Sequence, residues 1–247
     1  MIDTHAHIYS EYYDDIDTLT EELKNKNIIH VINASTNNTD IYEVLELSKK
    51  YNNFYLAAVG IHPEEIDSYN LDELENIIKS NKVYEIGEIG LDYHYRDDNK
   101  EEQKELFIKQ INLAKKYNLP VVVHTRDSIQ DCFDVLKNSN VKGVIHCFSG
   151  SIEMAKEFIK YGYKLGIGGV LTFKNSKLYQ VIEKIDLKDI LLETDSPYLS
   201  PEPFRGKQNK PSNVYYVAKR ISEIKNINIE EVIEVTTKNA IELFDIK

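Results

Sequence analysis

Histidines and carboxylates stand at the ends of short apolar segments along this sequence. His5 and His7 lie two residues apart in the opening MIDTHAHI, and His124, His146 and Asp195 lie late in three later segments. Imidazole and carboxylate groups suit zinc, manganese, nickel or iron better than calcium. The pattern therefore predicts a metal site, if the fold brings these segment ends together.

Eight such apolar segments alternate with charged segments that have helical periodicity. Each is rich in Val, Ile, Leu or aromatic residues and is bounded by Gly, Pro, Asn or Asp, as buried strands are. They cover residues 1–8, 28–35, 54–63, 83–92, 120–126, 143–150, 163–169 and 190–197. Eight strand–helix units predict an α/β fold, a (β/α)8 TIM barrel that forms one domain over residues 1–247. An open, doubly wound sheet is the alternative, disfavoured by the lack of a GxGxxG turn after the first strand.

The charged segments supply predicted helices and one long loop. Segment 151–162 begins with a serine cap and ends at a glycine, and segment 213–247 is expected to form two helices. Residues 196–213 form the longest irregular stretch and hold four of the six prolines. Segment 100–118 is predicted to bury one stripe, formed by Leu106, Ile108, Ile111, Leu113 and Ala114.

The barrel interpretation gives the candidate ligands a common place. Active sites of such barrels lie at the C-terminal ends of the strands. Residues i and i+2 of a strand point to the same face, so His5 and His7 can bind one divalent cation. His124 and His146 come from adjacent strands and can bind a second cation, with carboxylates completing both sites. Two cations about 3.5–4 Å apart can activate water and hold both oxygens of a displacement.

Several carboxylates need assignment. Glu85 and Glu88 have opposite parity on one strand, and nearness to the strand end favours Glu88, although a bulge at Gly87 would exchange them. Asp3 and Glu193 lie two residues before His5 and Asp195, deeper in the barrel, where they are expected to orient the metal ligands. Glu88 and Asp195 are the carboxylates expected to complete the two cation sites. Cys147 follows His146 and is expected to face away from the site as a small buried hydrophobe.

Composition restricts the class of protein. The chain has 247 residues, a net charge of −11 and two cysteines without metal-type spacing. From the two cysteines we expect a cytoplasmic protein. We also expect neither a signal peptide nor a membrane span. The acidic balance disfavours long, non-specific binding along a duplex.

Seven motifs stand in an order that resembles the TatD family of metal-dependent deoxyribonucleases, from residue 1 to about residue 245. They are DTHAHI, GIHPE, GEIGLDYH, VVVHTRD, HCFSG, ETDSPYLSP and RGKQNKPSNV. The resemblance implies an amidohydrolase-like barrel with two divalent ions, whether Zn, Mg, Mn, Ni or Fe. It assigns His5 and His7 to the first ion, Glu88 to a bridge, His124 and His146 to the second ion, and Asp195 to a metal ligand and general base.

The same resemblance implies further roles. His62 matches a histidine near the substrate phosphate, and Glu85 stands where related sequences tend to have a small residue. No lysine ends the fourth strand, so a carbamylated lysine is not expected.

These assignments predict a deoxyribonuclease with 3′-to-5′ exonuclease character on single-stranded DNA, acting as a monomer. Arg126, Arg205 and Lys207 are candidates for binding the phosphate. One alternative is an ester or amide hydrolase such as a D-aminoacyl-tRNA deacylase, and another is a non-catalytic barrel with structural metal.

Overall fold

A computed structural model describes residues 1–96 and 98–247 of the chain. Eight strands occur within it: β1 (Ile2–Ala6), β2 (His30–Ala34), β3 (Tyr55–Val59), β4 (Glu85–Asp92), β5 (Val121–Arg126), β6 (Gly143–Ile145), β7 (Tyr163–Ile167) and β8 (Ile190–Leu192). The helices are α1 (Ile16–Asn25), α2 (Asp40–Lys50), α3 (Leu71–Ser80), α4 (Lys100–Tyr117), α5 (Ile129–Leu136), α6 (Ile152–Lys160), α7 (Tyr179–Ile182), α8 (Val214–Lys225) and α9 (Ile229–Phe244). Each strand lies inside the segment predicted for it.

The strands form one parallel sheet in chain order, each paired with the next. The first and last strands meet at their C-terminal ends, where Ala6 bridges Ser196 and the amide of Asp195 donates to the carbonyl of His5 at 3.0 Å. This closure confirms the TIM barrel and rules out the open sheet.

Alternate strand residues pack on opposite sides of the barrel wall. Residues such as Val31 and Val123 pack in the large core that includes helix residues. Their neighbours Ile32 and Val122 belong to a smaller core together with Phe244 of α9. The C-terminal segment thus covers the end of the barrel where the strands begin, and the site lies at the other end.

The predicted helices are confirmed, with one correction in α4. Leu106, Ile111 and Ala114 are buried as expected, but Ile108 is 45% exposed. The buried face also includes Gln103, Phe107 and Gln110. Its residues follow one another at helical intervals of three and four, and Ile108 lies outside this face. Helix α6 begins at its predicted cap, where the Ser151 side chain accepts from the amide of Met154.

Asp3 lies at the closing seam of the barrel, where β1 meets the residues that follow β8. Its buried carboxylate accepts from the Thr194 amide at 2.9 Å, the Thr194 hydroxyl at 2.5 Å and the His5 amide at 3.3 Å. It was expected to orient a ligating histidine, but it contacts backbone and hydroxyl groups instead of the ring. The strand pairing shifts between Asp3 and Ala6, so the simple alternation from His5 does not apply here.

Asp3→Ala is therefore expected to lower the free energy of unfolding by about 3 kcal/mol, because buried donors lose their acceptor. Urea titration measures the difference, with the exposed Asp14→Ala as control. A change as small as the control's would show that the seam does not depend on Asp3.

Candidate metal centre

The six predicted ligands converge at the C-terminal ends of the strands. His5, Glu88 and His124 lie on β1, β4 and β5, whereas His7, His146 and Asp195 lie just beyond β1, β6 and β8. All except His5 line a pocket of about 760 Å³.

One group of donor atoms has the spacing of a metal site. The Nε2 atoms of His5 and His7 lie 3.2 Å apart, and each lies 3.4–3.5 Å from Glu88 Oε2. Asp195 Oδ1 lies 3.5 Å from His7 Nε2 and 3.9 Å from His5 Nε2. Tetrahedral ligands at about 2.1 Å from a cation are about 3.4 Å apart, so these residues fit a divalent ion.

The second oxygen of Glu88 faces other histidines. Glu88 Oε1 lies 2.7 Å from His124 Nδ1 and 3.8 Å from both His62 Nε2 and His146 Nε2. One carboxylate thus presents one oxygen to each of two groups of nitrogen donors.

The histidines group differently from the sequence interpretation. His146 lies beside His5, with ring centroids 3.7 Å apart, and its Nε2 is 3.6 Å from Asp195 Oδ1. His124 groups with Glu88 and His62, a residue that the resemblance placed near substrate phosphate. His62 therefore belongs to the cluster of possible ligands.

The charges of the cluster favour a cation. Burial alone would raise the pKa of Glu88, but the His146 and His5 charges and the His124 hydrogen bond hold it well below its usual range. Burial opposes protonation of His124 and His146, yet the surrounding carboxylates raise their pKa values to about 9 and about 10. Metal binding at these histidines must therefore release protons.

The pKa of His62 shifts in the opposite direction from the pKa values of His124 and His146. Burial and the neighbouring His124 charge lower the pKa of His62 to about 3, so its imidazole is neutral at physiological pH. A neutral imidazole is the form that binds metal.

A second carboxylate lies beside each of two of these rings. Asp92 Oδ2 lies 2.9 Å from His124 Nε2. Glu193 Oε1 lies 3.0 Å from His146 Nδ1 and accepts from the Cys147 amide at 2.6 Å. Glu193 thus pairs with the His146 ring by charge, without hydrogen-bond geometry, rather than with Asp195 two residues further along the chain. Asp92 is the last residue of β4, and its even spacing from Glu88 is the sequence signal that places both side chains on one face.

Gly166 makes room for the Glu193 carboxylate. A Cβ atom at this position would lie 2.1 Å from Glu193 Oε2. Glycine on β7 is therefore part of the support of His146.

Cys147 corrects a sequence expectation, because it lines the pocket instead of facing away. Strand β6 ends at Ile145, and Cys147 has a φ of 46°, so strand alternation no longer determines its direction.

Glu85 is a second buried carboxyl on β4. The β4–β5 pairing shifts between Ile86 and Ile89, and both isoleucines pack in the large outer core. Only Glu88 of the two lines the pocket at the barrel mouth, as expected from its position, whereas Glu85 lies deeper, near the charges of Glu193 and His146. Neither Glu85 oxygen has a hydrogen-bond partner within the described part of the chain.

This environment predicts a pH-dependent effect of Glu85→Gln. Burial and the Glu193 charge raise the pKa of Glu85 well above its usual 4.5. Above pH 4.5 the unfolded chain releases this proton and the folded protein retains it, so wild-type stability declines with rising pH by up to about 1.4 kcal/mol per unit. Glutamine does not titrate, so the variant should gain stability relative to wild type as the pH rises above 4.5 toward the raised pKa of Glu85.

Urea titrations of chelated protein test this prediction, with the exposed Glu183→Gln as control. Parallel pH profiles of wild type and Glu85→Gln would contradict it.

The predicted phosphate-binding cations separate in the structure. Arg126 lines the pocket, with its guanidinium 4.8 Å from the centre of the Tyr95 ring. Arg205 lies 3.8 Å from the Phe173 ring centre and donates to the Ser200 carbonyl, and neither it nor Lys207 lines the pocket. The loop folds on itself here, since the Ser200 hydroxyl donates to the Lys207 carbonyl. No described helix is long and apolar enough to cross a membrane.

A parallel barrel whose strand ends carry histidine and carboxylate donors is an architecture of metal-dependent hydrolases. The family described as TatD related DNase matches residues 2–245, and the chain belongs to this family.

Similar proteins agree over the full length. A Bacillus subtilis protein named uncharacterized metal-dependent hydrolase YabD is 40% identical over 256 aligned positions, covering 100% of this chain and 99% of its own. Human deoxyribonuclease TATDN3 is 34% identical, covering 99% of this chain and 94% of its own. The structure of YJJV, a TatD homolog from Escherichia coli K12, has a TM-score of 0.95 at 31% identity and covers 100% of this chain and 98% of its own. The chain is therefore an enzyme, a metal-dependent hydrolase.

Proposed function

We propose that this enzyme is a deoxyribonuclease that removes nucleotides from single-stranded DNA in the 3′-to-5′ direction. The observation that carries the proposal is the placement of Glu88, whose two oxygens face separate groups of histidines. Such a carboxylate can bridge two divalent ions, and a pair of ions suits cleavage of a phosphodiester. The human relative named as a deoxyribonuclease supports the choice of substrate.

The chain's own residues supply binding and proton transfer. His5, His7 and Asp195 would hold one ion, and Glu88 would bridge to the second. The second ion would be held by His124 together with His146 or His62, whose Nε2 atoms both lie 3.8 Å from the Glu88 oxygen that contacts His124. The bound ions, whether Zn, Mg, Mn, Ni or Fe, would supply an acidified water and positive charge for the phosphoryl oxygens.

Asp195 is the proposed proton acceptor. Burial would raise its pKa, but the hydrogen bond with His7 and the charges of His146 and His7 hold it below its usual value. The carboxylate is thus ionised at neutral pH and can take a proton from the attacking water. Arg126, which lines the pocket, is the proposed partner of a substrate phosphate. The enzyme is proposed to act as a monomer.

The test is digestion by chelated protein reconstituted with each metal. Single-stranded DNA blocked at either end, RNA, duplex DNA and charged tRNA are compared, and products are identified by mass spectrometry. We expect mononucleotides from DNA with a free 3′ end, and none with chelator. Release of free amino acid from tRNA without DNA cleavage would instead favour the deacylase. A protein that binds metal and cleaves none of these substrates would overturn the proposal.

A further inference from the structure

A wall of tyrosines extends from the metal centre to the outside of the pocket. Tyr9 and Tyr12 follow β1, and Tyr198 follows β8. The Tyr12 ring centre lies 5.9 Å from those of both Tyr9 and Tyr198, and Tyr198 lies 6.1 Å from the ring of His7. The Tyr12 and Tyr198 hydroxyls are 2.9 Å apart, and Tyr198 is 49% exposed. The wall therefore presents an accessible aromatic surface next to a metal ligand.

The remaining rim is predominantly acidic. Glu11, Asp40, Glu64 and Glu65 line the same pocket, and Arg126 is the only lysine or arginine among its lining residues within the described chain. The other two predicted cations, on the loop after β8, lie outside this lining. A long polyanion would meet repulsion along such a rim, because sequence-independent affinity for nucleic acid depends on lysine and arginine contacts to phosphates. The pocket suits a ligand with one phosphate at the centre and an uncharged aromatic group on the tyrosines.

We propose that Tyr12 and Tyr198 form a stacking subsite for the base of the terminal nucleotide, and that the pocket recognises this one nucleotide rather than a length of strand. The inference rests on the proposed function, which places the scissile phosphate at the neighbouring metal centre. Stacking on an aromatic side chain contributes about 1–3 kcal/mol per base and tolerates any base. Base recognition then supplies affinity that the acidic rim cannot supply.

Binding measurements test the subsite without requiring catalysis. Calorimetry compares deoxyadenosine 5′-monophosphate with deoxyribose 5-phosphate, which has the same phosphate and no base, on metal-loaded protein. Wild type should bind the nucleotide about 5- to 100-fold more tightly. Tyr12→Ala should reduce this ratio by at least fivefold. Tyr12→Phe, which keeps the ring and loses the hydroxyl contact with Tyr198, should retain it, as should Tyr42→Ala on the exposed face of α2.

The outcomes separate the subsite from the proposed function. Equal affinity of wild type for the two ligands, or an unchanged ratio in Tyr12→Ala, would overturn the subsite even if the enzyme degrades DNA. A base-dependent ratio without DNA cleavage would retain the subsite and overturn the nuclease assignment.

Substrate length provides a second test. Recognition of one nucleotide predicts that KM changes less than about threefold between oligonucleotides of about 3 and 20 residues. Affinity should fall with salt at a logarithmic slope of about −0.7, the value for one phosphate contact on a single strand. A slope several times steeper, or a KM that falls steadily with length, would show that the enzyme grips an extended strand.

Discussion

Glu88→Ala is expected to abolish DNA cleavage, with a fall in kcat on the order of 1,000-fold or more. Its carboxylate is buried, and its two oxygens contact the two separate groups of histidines. We therefore expect no neighbouring carboxylate in the described structure to replace it. Removing it separates the two donor groups and leaves their positive charges without the central anion. Metal content should fall from the proposed two ions per chain to one or none.

The measurement combines metal analysis with the rate of mononucleotide release. Glu11→Ala is the matched control, because Glu11 is an exposed carboxylate that lines the same pocket. Circular dichroism verifies that the barrel is folded. A folded Glu88→Ala protein with full activity and two bound ions would show that Glu88 neither bridges nor contributes to catalysis.

Asp195→Asn is expected to reduce kcat by about 100- to 10,000-fold, with a smaller effect on KM. The amide keeps the size of the side chain and one oxygen near His7, but it cannot accept a proton from water. The backbone of Asp195 has a φ of 57°, a conformation that asparagine tolerates, so the substitution should preserve the local fold.

The contrast between kcat and metal binding identifies the role of Asp195. A variant that binds both ions yet turns over slowly supports proton transfer, whereas full activity on return of excess metal would indicate a ligand role alone. Asp92→Asn is a useful comparison, because Asp92 contacts the His124 nitrogen that does not face Glu88. This substitution should weaken metal binding about 10- to 100-fold.

Local sequence pattern was sufficient for most of the framework. The eight apolar segments contain all eight strands, because a buried parallel strand requires a short, nearly continuous apolar run. Helix α6 followed from its serine cap and terminal glycine, and the segment that contains α8 and α9 was expected to form two helices. The prediction that Ile108 is buried in α4 was wrong, because the buried face depends on what packs against it. Two glutamines on that face accept from backbone amides, Gln110 just beyond β3 and Gln103 at the end of β4, instead of facing water.

The sequence by itself also determined where the chemistry lies. In a parallel barrel with helical crossovers every strand ends at the same rim, so histidines late in different strands must come together. His5, His7, Glu88, His124, His146 and Asp195 were therefore identifiable from their positions along the chain.

Only the tertiary structure decided how these residues face one another. Strand alternation fails at a register shift and beyond a strand's last residue, and the affected side chains are directed by contacts distant in sequence. For this reason Glu85 lies inside with Glu88, Cys147 turns into the pocket, Glu193 supports His146, and the loop after β8 keeps Arg205 and Lys207 away from it. Non-local hydrogen bonds and packing set these directions, and no local pattern encodes them.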